Sequence, residues 1–219
     1  MTNRPYKSYH SVSLVASPAL VLEHLELLFG QPIPHLSEID EYREDTIFGF
    51  VAEDNRVIAL ALENQGLTTL LNTIGQLTNL QKLYLYNNRL QTLPDTFGQL
   101  TPLQELELAY NQLQLLPGTI SRLQHLRSLN LRETPLKLFN LSVLVQLAQN
   151  NSNLRYVLPA SLTEHPLVQD LTVISGLTSF TFLLDNLCPL CGKKALVQEK
   201  AEETGQKRVF CANCENSIS

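Results

Sequence analysis

Four cysteines near the end of this 219-residue chain have the spacing of metal ligands. Two residues separate Cys188 from Cys191 and Cys211 from Cys214, and nineteen residues lie between the two pairs. Two residues between paired cysteines let both thiolates face one ion, so the spacing predicts a tetrahedral metal site. Zinc is the expected ion, a rubredoxin-type iron is the alternative, and disulfides are disfavoured where thiols stay reduced. Four thiolates fill the coordination of zinc, so we expect a structural role.

The residues between the cysteine pairs favour a small β-hairpin. Segments 194–200 and 206–210 can form its two arms around a turn at Glu203-Thr204-Gly205. Segment 188–219 therefore resembles a zinc ribbon, a module that often contacts nucleic acid or docking subunits. The resemblance implies an alternative function as a nucleic-acid-associated or transcription-type accessory factor. Five basic and four acidic residues in the segment give it little attraction for phosphates.

Sequence motifs of enzymes are missing from the chain. It has no phosphate-binding glycine loop, no G-x-S-x-G and no H-E-x-x-H, and its five histidines are scattered. Glu105 and Glu107 could act as paired carboxylates, but the strand predicted for them belongs to an open sheet. We therefore expect a protein that is not an enzyme.

A repeat of 23 residues organises the middle of the chain. Equivalent units begin at Val57, Leu80, Leu103 and Leu126, and leucines recur at the same offsets within them. The ninth position holds Gln65, Asn88, Asn111 and Thr134 in the four units. Such agreement at one period predicts a stacked repeat architecture, since one unit cannot bury its leucines alone.

The repeats resemble the leucine-rich-repeat family, whose consensus is L-x-x-L-x-L-x-x-N-x-L. Segments LQKLYLYNNRLQTLP and LQELELAYNQLQLLP match every fixed position of it. The tail L-P-x-x-[IF]-x-x-L is similar to the 23-residue intracellular class of Ras-suppressor-type and many prokaryotic proteins. The resemblance covers residues 57–139 and implies an α/β solenoid with a short parallel strand in each unit on the concave face. The convex return sometimes contains a helical turn.

The asparagines at the ninth position have a structural role in this interpretation. They lie on the bend after each strand, where backbone groups point inward without partners in the sheet. An amide can both donate to and accept from such groups, so Asn88 and Asn111 should form a short ladder. Gln65 and Thr134 replace asparagine in the outer units, where the array meets its caps.

The flanking segments are predicted to cap the array. Residues 1–46 form a helical N-terminal cap, with a helix that begins at Ser17-Pro18 and ends at Gly30. Residues 47–139 hold a hairpin and the four repeats, and the first hairpin strand (47–52) covers the open edge of the sheet. Residues 140–187 form a degenerate repeat and a C-terminal cap, with a weak strand pattern at 171–176. Residues 188–219 form the ribbon.

The concave face is the predicted binding surface. Residues between the strand leucines point away from the core, because successive side chains of a strand alternate in direction. Tyrosine is common in binding hot spots, although it also suits ordinary exposed strand positions. Four strands about 4.8 Å apart span about 14 Å, which fits a peptide, a helix or one loop of a protein partner. The predicted binding residues are Tyr84, Tyr86, Glu105, Glu107, Tyr110 and Arg132.

Composition limits the remaining function classes. The chain is 44% hydrophobic and has a net charge of −5, with a pI near 5.5. These values argue against disorder and against a main task of wrapping nucleic acid or lying on anionic lipid. No apolar stretch is long enough to span a membrane, and the first residues make a poor signal peptide. We therefore expect a cytoplasmic protein.

Overall fold

The computed structural model describes residues 6–9, 12–39, 46–137, 140–151, 154–159, 209–210 and 217–218. Three 3₁₀ helices, at Asn72–Gln76, Asp95–Gln99 and Gly118–Arg122, follow successive strands. The other elements are, in chain order, β1 (Tyr6–Tyr9), β2 (Val12–Val15), α1 (Ala16–Phe29), β3 (Phe48–Glu53), β4 (Arg56–Leu62), β5 (Lys82–Tyr84), β6 (Glu105–Glu107), β7 (Ser128–Asn130), α2 (Leu141–Asn150), β8 (Arg155–Val157), β9 (Val209–Phe210) and β10 (Ser217–Ile218).

A six-stranded sheet with the order β3-β4-β5-β6-β7-β8 forms the centre of the molecule. β3 and β4 are antiparallel, and every later pair is parallel. Leu60, Leu83, Leu106 and Leu129 are register partners, so each strand is aligned with the residue 23 positions later. The predicted parallel sheet of a repeat solenoid is confirmed.

One continuous core lies between the sheet and the 3₁₀ helices. The strand leucines point into it, as Leu83, Leu106 and Leu129 show with exposures of 2% or less. Phe97 fills the convex side of the second repeat and is fully buried. Because each unit shares its leucine face with both neighbours, the core runs without a break from α1 to α2.

The 3₁₀ helices stack closely where glycine leaves room. A Cβ atom at Gly98 would lie 2.6 Å from the carbonyl oxygen of Thr119 in the next 3₁₀ helix. Gly75 stands in the same relation to Thr96, at 2.5 Å. In the third 3₁₀ helix the equivalent residue is Ser121, whose hydroxyl donates to Gly118 O at 2.8 Å. Glycine is thus required only where another 3₁₀ helix follows.

The N-terminal cap contains an element that the sequence pattern did not predict, the antiparallel hairpin of β1 and β2. Leu14 of this hairpin and Leu22 and Leu25 of α1 are fully buried in the common core. The helix ends before Gly30, whose φ of 65° is the left-handed conformation expected at that position. The predicted helix is therefore confirmed, with a small difference at its start.

Helix α1 begins at Ala16, so Ser17 lies inside the first turn and does not precede it. Its hydroxyl donates to Gln76 Oε1 at 2.7 Å, a contact with the first 3₁₀ helix. Pro18 is still tolerated because backbone N–H groups of the first helical turn have no partner within the helix.

The array continues one strand further than the 23-residue period indicates. β8 pairs with β7, and Tyr156 is the register partner of Leu129, 27 positions earlier. The extra length is explained by α2, a ten-residue helix that takes the place of a five-residue 3₁₀ helix. The strand pattern predicted at 171–176 lies outside the described residues.

The ribbon segment is described only at two short strands. β9 and β10 pair antiparallel, with Phe210 opposite Ser217 and Val209 opposite Ile218. All four cysteines lie outside the described residues. Within the part of the chain that the structure describes, no helix has the length and apolar character needed to cross a membrane.

Candidate functional site: the concave face

The concave face is formed by strand residues that alternate with the buried leucines. Lys82, Glu105, Ser128 and Arg155 lie side by side in one row, from β5 to β8. The next row along the strands contains Tyr84, Glu107, Asn130 and Val157. Backbone hydrogen bonds continue past the strands, from Asn87 N to Ala109 O (3.0 Å) and from Tyr110 N to Arg132 O (2.8 Å). The bends after the strands are therefore held in register.

The asparagine at the ninth repeat position fixes these bends. Asn88 is 5% exposed, and its Oδ1 accepts hydrogen bonds from Gln65 N (3.1 Å) and Leu67 N (3.0 Å). Its Nδ2 donates to Leu62 O (2.8 Å) and Leu85 O (3.0 Å). A single side chain thus provides partners for backbone groups of two neighbouring repeats, which would otherwise be buried without hydrogen bonds.

The same arrangement recurs one repeat later and then changes. Asn111 Oδ1 accepts from Leu90 N (3.0 Å), and its Nδ2 donates to Leu85 O and Leu108 O, both at 2.9 Å. In the fourth unit Thr134 is buried, and its hydroxyl donates to Leu131 O at 2.6 Å. Asn140, which sequence reasoning missed, performs a similar task by accepting from Leu116 N at 2.7 Å.

The residue before each ninth position has a left-handed backbone. Asn64, Asn87, Tyr110 and Glu133 have φ values of 57°, 51°, 56° and 54°. Asparagine tolerates this conformation better than other side chains with a Cβ atom. The first two repeats use it, and Asn87 Nδ2 donates to Asn64 Oδ1 at 2.8 Å. Tyr110 occupies the same conformation without that advantage.

Tyr110 belongs to a cluster that we call the aromatic patch, defined as Tyr86, Tyr110 and Arg132. The rings of Tyr86 and Tyr110 meet edge to face, with centroids 5.3 Å apart and planes inclined by 66°. The Arg132 guanidinium carbon lies 6.0 Å from the Tyr110 ring centroid, within reach of a cation–π interaction. Tyr110 is 40% exposed, so this patch presents an ordered aromatic surface to solvent.

Tyr84 differs from the prediction, since it does not project from the concave face. It is only 5% exposed, and its hydroxyl donates to Glu105 Oε2 at 2.5 Å. Glu105 is on the neighbouring strand beside Lys82, not beside Tyr84, so the tyrosine reaches diagonally across the sheet. The other carboxylate oxygen of Glu105 pairs with Lys82 Nζ at 2.9 Å. The prediction of Tyr84 as an exposed contact residue is therefore wrong, because its side chain lies along the sheet.

Glu107 is also engaged within the molecule. Its Oε1 accepts from Ala109 N (2.7 Å), and its Oε2 accepts from Asn130 Nδ2 (2.8 Å). Burial raises the pKa of the Glu107 carboxyl above its ordinary value, while these hydrogen bonds lower it in part. Glu63 is similar: burial raises its pKa, and Ile47 N donates to its Oε2 at 2.8 Å. These carboxylates are structural hydrogen-bond acceptors of the face.

The structure brings Tyr86, Tyr110 and Arg132 together, whereas Tyr84 is buried and contacts Glu105. Sequence reasoning missed Arg155 and Val157, which extend the concave face on β8 and are exposed. The 23-residue period could not place them, because α2 lengthens this unit. Leu144, Leu147 and Leu154, all buried, are the sequence signal that could have indicated one more unit.

Metal ligands are not found on this face. Within the described ranges, no group of three or more histidine, cysteine, aspartate or glutamate side chains is arranged to hold a metal ion. The concave face is therefore a candidate for contacts with another molecule through aromatic, guanidinium and apolar groups.

Comparison with known proteins identifies the repeats. The family model for the leucine rich repeat matches residues 57–113 and 78–136, so this part of the chain consists of leucine-rich repeats. No curated protein matches the chain.

Three solved structures are similar to this chain: two leucine-rich-repeat proteins and one internalin. A Leptospira interrogans LRR protein is 35% identical, over 46% of this chain and 25% of its own, with a TM-score of 0.41. The LRR ectodomain of the Arabidopsis thaliana receptor kinase SOBIR1 is 19% identical. The match covers 68% of this chain and 94% of that ectodomain, with a TM-score of 0.42. A Listeria monocytogenes internalin is 18% identical. The match covers 60% of this chain and 43% of the internalin chain, with a TM-score of 0.40. This chain thus spans a quarter of the length of the Leptospira protein.

Proposed function

Because residues 57–136 are leucine-rich repeats, which generally mediate protein–protein interaction, we propose that this protein binds a protein or peptide partner. The aromatic patch on the concave face is the proposed contact surface. The observation that carries the proposal is Tyr110, an exposed aromatic residue held in a left-handed backbone conformation.

The left-handed backbone conformation of Tyr110 lowers the stability of the fold. A left-handed φ costs a residue with a Cβ atom about 1–2 kcal/mol, and asparagine reduces that cost. The equivalent positions Asn64 and Asn87 show that the repeat accommodates asparagine and gains a hydrogen bond from it. Strained backbone positions persist most often where function requires them. A tyrosine at this point supports binding, since its large rigid ring and hydroxyl suit an interface hot spot.

The probe for this proposal is a peptide selected from a displayed random library on the full chain, labelled with fluorescein for anisotropy. We expect Tyr110→Asn to weaken its binding about tenfold or more, which is about 1.4 kcal/mol. Glu133→Asn places asparagine at a residue with the same backbone conformation without removing a ring, and it should not weaken binding. Peptides that bind Tyr110→Asn as tightly as the wild-type protein would contradict the proposal.

We further propose a structural zinc ion on Cys188, Cys191, Cys211 and Cys214, with iron as the less favoured metal. Support comes from the antiparallel pairing of β9 with β10, because Cys211 and Cys214 fall in the six-residue connection between these strands. Zinc would contribute folding free energy to this small segment. Zinc binding requires reduced thiols. We therefore propose with it that the protein is cytoplasmic and that its repeats belong to the 23-residue intracellular class.

Metal analysis of the purified chain tests the zinc proposal. We expect about one zinc per chain in the wild-type protein and none in Cys211→Ser/Cys214→Ser. Iron in place of zinc would show that the ion was wrongly assigned. Wild-type protein that holds no metal after preparation under reducing conditions would refute a metal site.

A further inference from the structure

Charge is distributed unevenly along the solenoid. Residues 46–107 contain six acidic and three basic residues, whereas residues 108–159 contain five basic residues and one acidic residue. The second half is therefore positive, although the whole chain has a net charge of −5. The charged residues of that half are Arg122, Arg127, Arg132, Glu133, Lys137 and Arg155.

Carboxylates in the first half of the concave face are already used within the molecule. Glu105 contacts Lys82 and Tyr84, and Glu107 accepts two hydrogen bonds. Glu63 accepts one from Ile47 N. This end of the face has few groups left to attract a cationic partner.

Guanidinium groups in the second half are much less engaged. Arg132 meets Glu133 at 4.0 Å, but both side chains are more than half exposed, so water screens the pair. Arg155 is exposed and has no ion pair within the described residues. Its Cα lies opposite Ser128, four residues before Arg132, so the two arginine Cα atoms are roughly 14 Å apart or less.

Apolar and aromatic surface lies beside these two cations. Val157 follows Arg155 by two residues, on the same face of β8, and is 50% exposed. The Arg132 guanidinium lies over the Tyr110 ring. In this position its N–H groups can still form paired hydrogen bonds with a carboxylate. The end of the concave face thus alternates cationic with apolar groups.

We propose that the partner is an acidic peptide segment whose Asp or Glu side chains pair with Arg132 and Arg155 and whose apolar side chain rests on Tyr110 and Val157. This inference rests on the proposed function and adds the chemistry of the partner. Nucleic acid is less suited, because Glu105, Glu107 and Glu133 lie on or beside the same face and would repel a continuous row of phosphates.

Peptides selected from a displayed random library on the full chain provide the first test. We expect the enriched sequences to carry Asp or Glu together with an aromatic or aliphatic residue. Binding of the labelled peptide should weaken with added salt, since exposed charges are screened. Enrichment of neutral or basic sequences would overturn the inference.

Charge reversal provides the second test. Arg132→Glu/Arg155→Glu should weaken binding of an enriched peptide at least tenfold. Arg56→Glu/Arg122→Glu is the matched control, because it changes net charge equally at exposed residues in the β3–β4 turn and on the convex side. Equal losses in both variants, or no loss in either, would contradict the inference.

The two proposals can fail separately. A peptide whose binding depends on Tyr110 but not on Arg132 or Arg155 would overturn the acidic partner and leave the concave binding site standing. Binding that depends on none of the three residues would overturn both. A fluorescein-labelled single-stranded oligonucleotide that binds as tightly as the peptide, with the same arginine dependence, would replace the acidic peptide by nucleic acid.

Discussion

At the scale of single residues, the asparagine ladder decides whether the bends of the concave face hold their shape. Asn88→Ala should lower the free energy of unfolding by about 3 kcal/mol, because it leaves buried backbone groups without partners. Gln112→Ala removes an exposed amide and should change stability by less than about 0.5 kcal/mol. Urea denaturation of both variants measures the difference. Equal small effects would mean that water can replace the Asn88 amide.

Tyr110 offers a separate test of its backbone conformation. Tyr110→Ala and Tyr110→Asn both lose the edge-to-face contact with Tyr86, but only asparagine tolerates the left-handed φ of 56°. The asparagine variant should therefore be more stable than the alanine variant by about 1 kcal/mol. Thermal and urea denaturation give this comparison. Alanine that equals asparagine would show that the backbone there is not strained.

The partly buried carboxylate of Glu107 makes stability depend on pH. Burial raises its pKa in the folded state, so the folded protein binds this proton more tightly than the unfolded chain. Its contribution is favourable at low pH and is lost as pH rises through the raised pKa. Glu107→Gln should therefore gain stability relative to wild type as pH rises above 4.5, the ordinary pKa of a glutamate. Urea denaturation at several pH values above 4.5 measures the difference in unfolding free energy between Glu107→Gln and the wild-type protein. A difference that does not change with pH would argue against the raised pKa.

Residue types in the sequence could identify the ladder positions but not the fate of every concave side chain. The alternation of a strand places Tyr84 and Tyr86 on one face, and that much the structure shows. Which of them lies flat depends on the neighbouring strand, where Glu105 accepts the Tyr84 hydroxyl. A repeat pattern carries no information on such diagonal contacts.

At the scale of elements, the close stacking of 3₁₀ helices gives a matched pair of glycines. Gly98→Ala would place a Cβ atom 2.6 Å from Thr119 O, and we expect a loss of about 2 kcal/mol from the resulting overpacking. Nothing lies within 4 Å of a Cβ atom at Gly118, so Gly118→Ala should be neutral or slightly stabilising. Denaturant midpoints separate the two variants, and equal midpoints would contradict the stacking.

Helix α1 allows the same kind of comparison for the N-terminal cap. Leu25 is fully buried in the common core, whereas Leu27 is 81% exposed. Leu25→Ala should therefore cost about 2–5 kcal/mol, and Leu27→Ala less than about 0.5 kcal/mol. A single unfolding transition that shifts to lower temperature in Leu25→Ala would show that cap and repeats melt together. Two separate transitions would contradict one shared core.

Elements followed the sequence prediction wherever the period of 23 held. The strands at Leu83, Leu106 and Leu129 could be placed from it, because each leucine must face the same core. Helix α2 and strand β8 could not, since a ten-residue helix in place of a 3₁₀ helix shifts the register by four residues. The β1–β2 hairpin lies outside the 23-residue repeats, so their periodicity could not predict it.

At the scale of the whole molecule, a stacked core leaves one face of the sheet available for contacts and gives it opposite character at its two ends. The carboxylates of the first half are satisfied internally, and the arginines of the second half are open to solvent. The aromatic patch joins the two halves, because Tyr86 belongs to the first half and Tyr110 and Arg132 to the second, and a segment of a partner could contact both a ring and a guanidinium there. The proposed binding should therefore be local to the second half.

Hydrogen exchange of the full chain with and without a library-selected peptide tests this most directly. Bound peptide should slow exchange in β7, in β8 and in the bend that carries Tyr110, because ordering those segments suppresses local opening. The convex 3₁₀ helices should exchange as before. Slower exchange confined to the convex side, with the Tyr110 bend unchanged, would contradict the account.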